Sequence, residues 1–216
     1  MSSLFERVEA AVADSDVADR LLFNDLTGAL GEFLATARRR RRYDGYRERY
    51  DVHPEFEFNG PGITLYGRGE ISLGADAYVG TGSRLQAKEG NAIRVGRNTA
   101  VSHYVFLYTQ NRIADQEIAG ARNRNRSLAV REGDVDIGPH CWVGAFTFVT
   151  EDTAVGEDTV VGAGSVVTDD LPPGAVTAGA PARVQRFKSH LPRERRAALA
   201  REYEDVLAPR VAAEYL

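Results

Sequence analysis

The chain has 216 residues and a mass of 23.6 kDa, which is enough for one full hydrophobic core and one or two domains. Its 31 acidic and 27 basic residues give a net charge of −4, so the overall basic field typical of nucleic-acid-binding proteins is missing. One cysteine excludes an internal disulfide, and no apolar run approaches the roughly 18 residues that span a membrane. With no signal-peptide pattern at the N-terminus, we expect a cytoplasmic protein.

Residues 1–58 are predicted to form an N-terminal helical region. Apolar residues recur at helical spacing from Leu4 to Val12 and again from Val17 to Leu34, which indicates a packed cap. The run Arg38–Arg42 has two interpretations. It is either a surface for a polyanion or a membrane, or a solvated helix end whose positive charges favour the helix C-terminus.

The middle of the chain, residues 59–188, follows a six-residue period. Eighteen of the 21 glycines lie between Gly60 and Gly179. An aliphatic residue recurs every six positions from Ile137 to Val167, and the same spacing recurs from Leu73 to Leu85 and from Val95 to Leu107. A period of six fits neither a helix nor a hairpin strand. It is typical of an all-β parallel β-helix, in which each short strand buries one aliphatic residue and small residues occupy tight corners.

Two segments break this period. Polar residues replace the aliphatic positions over residues 109–134, so this stretch is predicted to be a protruding loop insertion. Residues 189–216 return to helical spacing, with apolar residues from Leu199 to Leu207 on one face before Pro209 interrupts them. The C-terminal segment is therefore predicted to be a helix that covers the open end of the stack.

The segment from Val135 to Arg186 contains the blocks IGPHCWVGAFTFV and VGEDTVVGAGSVVTDDLPPGAVTAGAPA. It resembles the hexapeptide-repeat acyltransferases, especially the maltose, galactoside and virginiamycin O-acetyltransferase group. The resemblance implies a left-handed β-helix with three hexapeptides per turn, and a homotrimer with its sites between subunits. It also implies acetyl-CoA as the acyl donor. Three hexapeptides per turn give complete coils at 73–90, 95–112, 137–154 and 155–172.

The resemblance also assigns a donor site along the last coils, where small side chains would let the pantetheine arm of CoA reach backbone groups and arginines would pair with its phosphates. The matching positions are Ala145, Ala163, Thr168, Arg183 and Arg186, with Trp142 beside them. Trp142 is equally open to packing at a subunit boundary. Asp169 follows Thr168 where the family usually has a lysine.

The catalytic histidine of the group is expected in the segment after Leu107, but this chain has Gln110, Asn111 and Arg112 there. A guanidinium does not accept a proton near neutrality, so Arg112 cannot replace the base. His103 is the candidate catalytic base instead, because its hexapeptide resembles that of the amino-sugar N-acetyltransferases on the same fold. The alternative is that His103 is a polar corner residue.

His140 and Cys141 are interpreted as structural residues at a coil corner. A zinc site built on His103 and His140 would need a third ligand, and none occurs at a nearby position. We therefore expect no metal.

The insertion carries several charged residues with two interpretations. Its arginines could bind the phosphates of CoA or of a nucleotide-linked sugar, and its carboxylates are alternative bases; otherwise the insertion is a solvated loop. The arginines are Arg112, Arg122, Arg124, Arg126 and Arg131, and the carboxylates are Asp115, Glu117 and Glu132.

Together these features predict a CoA-dependent acyltransferase that transfers an acetyl group to a hydroxyl or amine of a carbohydrate, a nucleotide sugar or a related small molecule. The alternative is a non-catalytic β-helix trimer that serves as a scaffold, which the segment Gln110–Arg112 favours because it lacks the expected histidine.

Overall fold

A computed structural model describes residues 25–116 and 128–216 of the chain. The chain divides into two compact units, residues 1–45 and 46–216. Helix α1, Asp25–Arg49, forms the described part of the first unit and continues into the second. It contains the latter half of the helix predicted from Val17 to Leu34. The stretch Leu4–Val12 lies outside the described residues.

The second unit is a parallel β-helix whose strands form three sheets. Sheet 1 contains β1 (Asp51–Val52), β4 (Glu70–Leu73), β7 (Ala92–Val95), β12 (Val135–Ile137) and β15 (Thr153–Val155). Sheet 2 contains β2 (Glu57–Asn59), β5 (Tyr78–Gly80), β8 (Ala100–Val101), β13 (Trp142–Val143), β16 (Val160–Val161), β18 (Ala175–Gly179) and β19 (Ala182–Phe187). Sheet 3 contains β3 (Thr64–Gly67), β6 (Arg84–Ala87), β9 (Phe106–Tyr108), β14 (Phe148–Val149) and β17 (Val166–Val167).

One strand from each sheet makes a coil, and five coils stack through parallel pairing within each sheet. This architecture confirms the predicted all-β, parallel β-helix fold. The left-handed twist stays an implication of the resemblance.

The core contains the aliphatic residues that defined the six-residue period. Each of the twelve has at most 3% of its surface exposed: Leu73, Val79, Leu85, Val95, Val101, Leu107, Ile137, Val143, Val149, Val155, Val161 and Val167. Since each strand of the last four coils contributes one such residue, a coil has no core of its own, and each coil is stabilised by its neighbours.

Close approach between coils explains the excess of glycine. A Cβ at Gly96 would lie 2.5 Å from the backbone nitrogen of Pro139 in the next coil, and a Cβ at Gly144 would lie 2.5 Å from that of Ala163. Neither residue has a positive φ, so the requirement for glycine here comes from space between coils and not from backbone conformation.

The β-helix begins one coil earlier than the hexapeptide pattern indicates. Val52, Phe58 and Leu65 pair in register with Leu73, Val79 and Leu85. Their spacing is irregular because the corner at residues 60–62 contains an additional residue, so the strict period of six does not detect this coil.

The insertion leaves the β-helix after β9 as a short antiparallel hairpin. Its strands are β10 (Gln110–Arg112) and β11 (Val130–Glu132), with Asn111 opposite Arg131. Residues 117–127, and with them Glu117, Arg122, Arg124 and Arg126, lie outside the described residues.

The C-terminal segment packs on the end of the β-helix as predicted, although it forms more than one helix. Helix α2, Arg193–Glu202, is followed by a 3₁₀ turn at Glu204–Val206 and by α3, Pro209–Tyr215. A shared apolar cluster joins them to β18 and β19, and its largest buried members are Phe187, Leu199 and Leu207. No helix in residues 25–116 and 128–216 is long and apolar enough to cross a membrane.

Because the coils stack around one core, the same side-chain truncation should lower the free energy of unfolding much more in the core than at the surface. Val143→Ala removes two methyl groups from a side chain with no exposed surface, so we expect a loss of about 2–3 kcal/mol in the free energy of unfolding. Val130→Ala makes the same change at a side chain that is 38% exposed, and we expect an effect within about 0.5 kcal/mol. Urea unfolding of both variants measures the difference, and equal losses would contradict the assigned core.

Candidate functional site

The turns that connect sheet 2 to sheet 3 form a straight edge, here called the donor corner. It contains His103–Tyr104, Ala145–Phe146 and Ala163–Gly164 in successive coils. The amide of Phe146 donates to the carbonyl of His103 at 3.1 Å, and the amide of Gly164 donates to that of Ala145 at 2.8 Å. The structure therefore brings the predicted residues His103, Ala145 and Ala163 into one line.

Ala145 and Ala163 place small side chains on this edge. Ala163 is exposed and Ala145 is half-buried. Within the described part of the chain, neither amide N–H donates a hydrogen bond. Two small residues with free donors one coil apart are well suited to bind the carbonyl oxygens of an extended ligand.

Two cross-strand rows connect this edge to the basic residues. In the first row, Gly162 lies against Ala178, since a Cβ added to the glycine would lie 3.1 Å from the Cβ of Ala178. Ala178 in turn pairs with Arg183 of β19. In the second row, Trp142 pairs with Val160, Val160 with Val176, and Val176 with Arg186. Three strand spacings separate Trp142 from Arg186, about 14 Å.

The two arginines differ in their contacts. Arg183 Nη1 donates to Asp169 Oδ2 at 3.0 Å, and the hydroxyl of Thr168 donates to the same oxygen at 2.9 Å. Arg186 is exposed, and its side chain contacts no acceptor within the described residues. Asp169, which occupies the position of the family's lysine, thus holds Arg183 in place, and Thr168 joins that pair.

His103 is exposed, and its ring has a fixed orientation. Its Nδ1 accepts a hydrogen bond from the amide of Thr81 at 3.0 Å. Because a backbone amide only donates, the proton of the neutral ring is on Nε2. A general base would need a lone pair at Nε2, and that lone pair exists only in the other tautomer. In the other tautomer the N–H of Nδ1 would face the amide N–H of Thr81. His103 is therefore arranged to donate a hydrogen bond from Nε2.

Sequence reasoning missed an aromatic pair on the donor corner. The rings of Tyr104 and Phe146 stack with centroids 5.2 Å apart and an interplanar angle of 6°, and both side chains are exposed. Both residues have positive φ values, 55° and 59°, where the neighbouring coils have Gly82 and Gly164. This conformation is rare for bulky residues and is associated with functional sites. The sequence contains a signal for this pair, because both aromatic residues occupy the same position of the hexapeptide.

His140 and Cys141 have the structural role that the sequence suggested. Nδ1 of His140 lies 2.9 Å from the side-chain amide of Asn98 in the neighbouring coil. Cys141 is 2% exposed, and burial raises the pKa of its thiol to about 11, so it stays protonated near neutrality. Residues 25–116 and 128–216 contain no group of three or more side chains that could hold a metal ion.

The hairpin β10–β11 is anchored at two carboxylates. Gln110 donates to Glu132 at 2.8 Å, Lys88 donates to the same carboxylate at 2.7 Å, and Asn111 donates to the buried Glu151. Sequence reasoning did not identify Glu151, since its partner lies 40 residues away across the insertion.

Comparisons with known proteins agree with this architecture. Residues 134–169 match the family model described as bacterial transferase hexapeptide (six repeats). Nodulation protein L of Rhizobium meliloti (strain 1021) is 37% identical over 116 residues. That match covers 53% of this chain and only 58% of nodulation protein L.

Solved structures share the fold. A hexapeptide-repeat acetyltransferase from Vibrio cholerae O1 biovar eltor, complexed with acetyl-CoA, superposes with a TM-score of 0.57 at 21% identity over 87% of this chain and 92% of its own. A maltose O-acetyltransferase from Clostridium difficile 630 gives 0.50 at 27% identity over 70% and 76%. The N-acyltransferase AntD from Bacillus cereus gives 0.51 at 18% identity over 71% and 86%. The chain therefore contains hexapeptide repeats and is similar, in its repeat sequence and its fold, to the hexapeptide-repeat acetyltransferases.

Proposed function

We propose that the protein is a CoA-dependent acyltransferase that transfers the acetyl group of acetyl-CoA to a hydroxyl or amine of a carbohydrate or nucleotide sugar. The observation that carries this proposal is the donor corner, where the free amides of Ala145 and Ala163 are connected through sheet 2 to Arg183 and Arg186. CoA is an extended molecule with amide carbonyls in its pantetheine arm and phosphates at its other end, and these groups match the free amides and the two arginines.

Structural relatives support both substrates. The Vibrio cholerae acetyltransferase was solved with acetyl-CoA, and a galactoside acetyltransferase was solved with CoA. AntD was solved with a dTDP-linked amino sugar and CoA. A cytoplasmic location, expected from the sequence, is consistent with acetyl-CoA as donor.

The reaction proposed at the donor corner needs two kinds of hydrogen-bond donor, backbone amides and a side chain. Attack of the acceptor on the thioester carbon places negative charge on the carbonyl oxygen, and backbone amides stabilise such an oxyanion. The C–S bond then breaks, the acetyl group stays on the acceptor, and the proton that the acceptor nitrogen or oxygen loses passes to the CoA thiolate. We propose that Nε2–H of His103 donates a hydrogen bond to the negative charge that develops in the reaction. An amine acceptor, attacking as the free base, fits this arrangement better than a hydroxyl does.

A scaffold without activity is the second candidate. It is favoured by the hydrogen bond from Thr81 to Nδ1 of His103, because this bond keeps the proton on Nε2 and leaves the neutral ring without a free lone pair to act as a base. Thiol release from acetyl-CoA in the presence of neutral sugars and nucleotide-linked amino sugars separates the two. CoA binding without any thiol release would favour the scaffold.

We also propose that the protein is a homotrimer with its sites between subunits. Sedimentation is expected to give a particle of about three times the chain mass of 23.6 kDa. A particle of one chain mass at micromolar concentration would contradict the trimer.

A large side chain on the donor corner is expected to block the donor. Ala163→Trp fills the space beside the free amides, so CoA binding should disappear while the fold stays intact. Ala75→Trp, at the corner between sheets 1 and 2 of the second coil, is the matched control and should bind CoA like the wild type. Isothermal titration with CoA and circular dichroism measure both properties. Unchanged affinity in Ala163→Trp would reject the donor corner.

Two variants of His103 distinguish a donor from a base. His103→Ala removes the donor, and kcat should fall by about 10²- to 10³-fold. His103→Gln keeps an N–H donor of similar reach but cannot act as a base, so it should retain most of the activity. If both variants lose the same large factor, His103 is a base and its assigned tautomer is wrong.

A further inference from the structure

A second cavity lies away from the donor corner, between the hairpin β10–β11 and the outer face of sheet 3. It has a volume of about 410 Å³ and is here called the hairpin pocket. Tyr66 and Tyr108 contribute from sheet 3, and Asn111 and Arg112 contribute from the hairpin. The segment Gln110–Arg112, where the resemblance expects the catalytic histidine, lines this pocket, and Arg112 there is a departure from the family's pattern.

The sheet side of the pocket is aromatic and neutral. The rings of Tyr66 and Tyr108 meet edge to face, with centroids 6.4 Å apart and an interplanar angle of 86°. Burial, together with a hydrogen bond to the Tyr108 hydroxyl, raises the pKa of Tyr66 to about 12, so the phenol keeps its proton near neutrality. Ring faces and phenol hydroxyls together suit a sugar ring, which presents C–H groups on one face and hydroxyls at its edge.

The charge of the pocket is positive. Among the residues that the structure describes, Arg112 is the only charged side chain that lines it, and its guanidinium contacts no carboxylate there. Arg84 lies close enough to the pocket wall for its charge to oppose the rise in the Tyr66 pKa. An unpaired guanidinium beside a cavity is a ready partner for a phosphate or carboxylate.

The neighbouring carboxylates are already occupied. Glu132 accepts hydrogen bonds from Lys88 and Gln110, and Glu151 accepts one from Asn111. Asp115 follows Arg112 by three residues and is not part of the pocket lining. The two anchors fix the hairpin strand that carries Arg112 and leave its charge for a ligand.

We propose that the hairpin pocket binds an anionic sugar, with the sugar ring against Tyr66 and Tyr108 and its phosphate or carboxylate on Arg112. This inference rests on the proposed function in one respect: it makes the anionic sugar the acceptor. A phosphate and a carboxylate are equally compatible with a planar guanidinium, so both are tested.

Isothermal titration of the full chain without CoA uses three probes: glucose 6-phosphate, glucuronate and glucose. At low salt we expect at least one anion to bind about tenfold or more tighter than glucose. The stronger of the two anions identifies the ligand as a phosphate or a carboxylate. Equal affinities for all three, or no binding of either anion up to about 10 mM, would overturn the proposal.

Two matched variants locate the binding. Arg112→Gln should remove the preference for the anion, whereas Arg97→Gln, which removes one exposed charge at another corner of the same coil, should leave it unchanged. Loss of the preference in both variants, or in neither, would reject Arg112 as the binding group.

Thiol release from acetyl-CoA is measured separately with the same probes. Anion binding without thiol release supports the pocket and counts against the proposed transfer. Thiol release with neutral sugars but no anion binding supports the transfer and rejects the pocket.

Discussion

The parallel hydrogen-bonded stacking of coils is the constraint on which the rest of the structure depends. Each coil must lie about 4.8 Å from the next, so its inward side chains must be aliphatic, and a Cβ is excluded where backbones approach closely. Val143, with no exposed surface, and Gly144, which faces the backbone of Ala163, show both requirements in adjacent positions. The same stacking converts a separation of 18 residues in sequence into direct contact, which is how Ala145 meets Ala163.

At the donor corner the side chains depart from the regular pattern of the coils, while the backbone conformation stays the same. The slot that holds Gly82 and Gly164 in two coils holds Tyr104 and Phe146 in the coils between them, and all four have positive φ. A bulky residue in that conformation costs about 1–3 kcal/mol, which ring stacking and the uninterrupted backbone hydrogen bonds of the corner partly offset. Residues at other corners of the β-helix, such as Asp76 and His140, also have positive φ, so the exposed aromatic pair and not the backbone conformation distinguishes this edge.

The sequence predicted the fold wherever the period was strict, and it predicted the alignment of His103, Ala145 and Ala163 because stacking follows from that period. It did not predict the first coil, since an additional residue near Gly62 shifts the spacing. It also could not predict contacts that depend on side-chain reach or on the insertion folding back. Asp169 appeared to remove a charge from the donor site, yet it holds Arg183 in place. Likewise Glu151 contacts Asn111 only because the hairpin returns to the β-helix.

The distance between the two sites has a consequence for the assembly. Tyr104, on the donor corner, and Tyr108, in the hairpin pocket, are four residues apart along one coil, which is about 13 Å in extended chain. A single sugar ring does not span an extended strand of this length, and we propose that a monosaccharide held in the pocket of one chain meets the donor corner of another copy. The pocket and a donor corner can act on one small acceptor only if they come from two copies of the chain. An assembly of at least two copies would then be required for the proposed reaction itself, and the proposed trimer meets this requirement because each site would be completed by a neighbouring subunit.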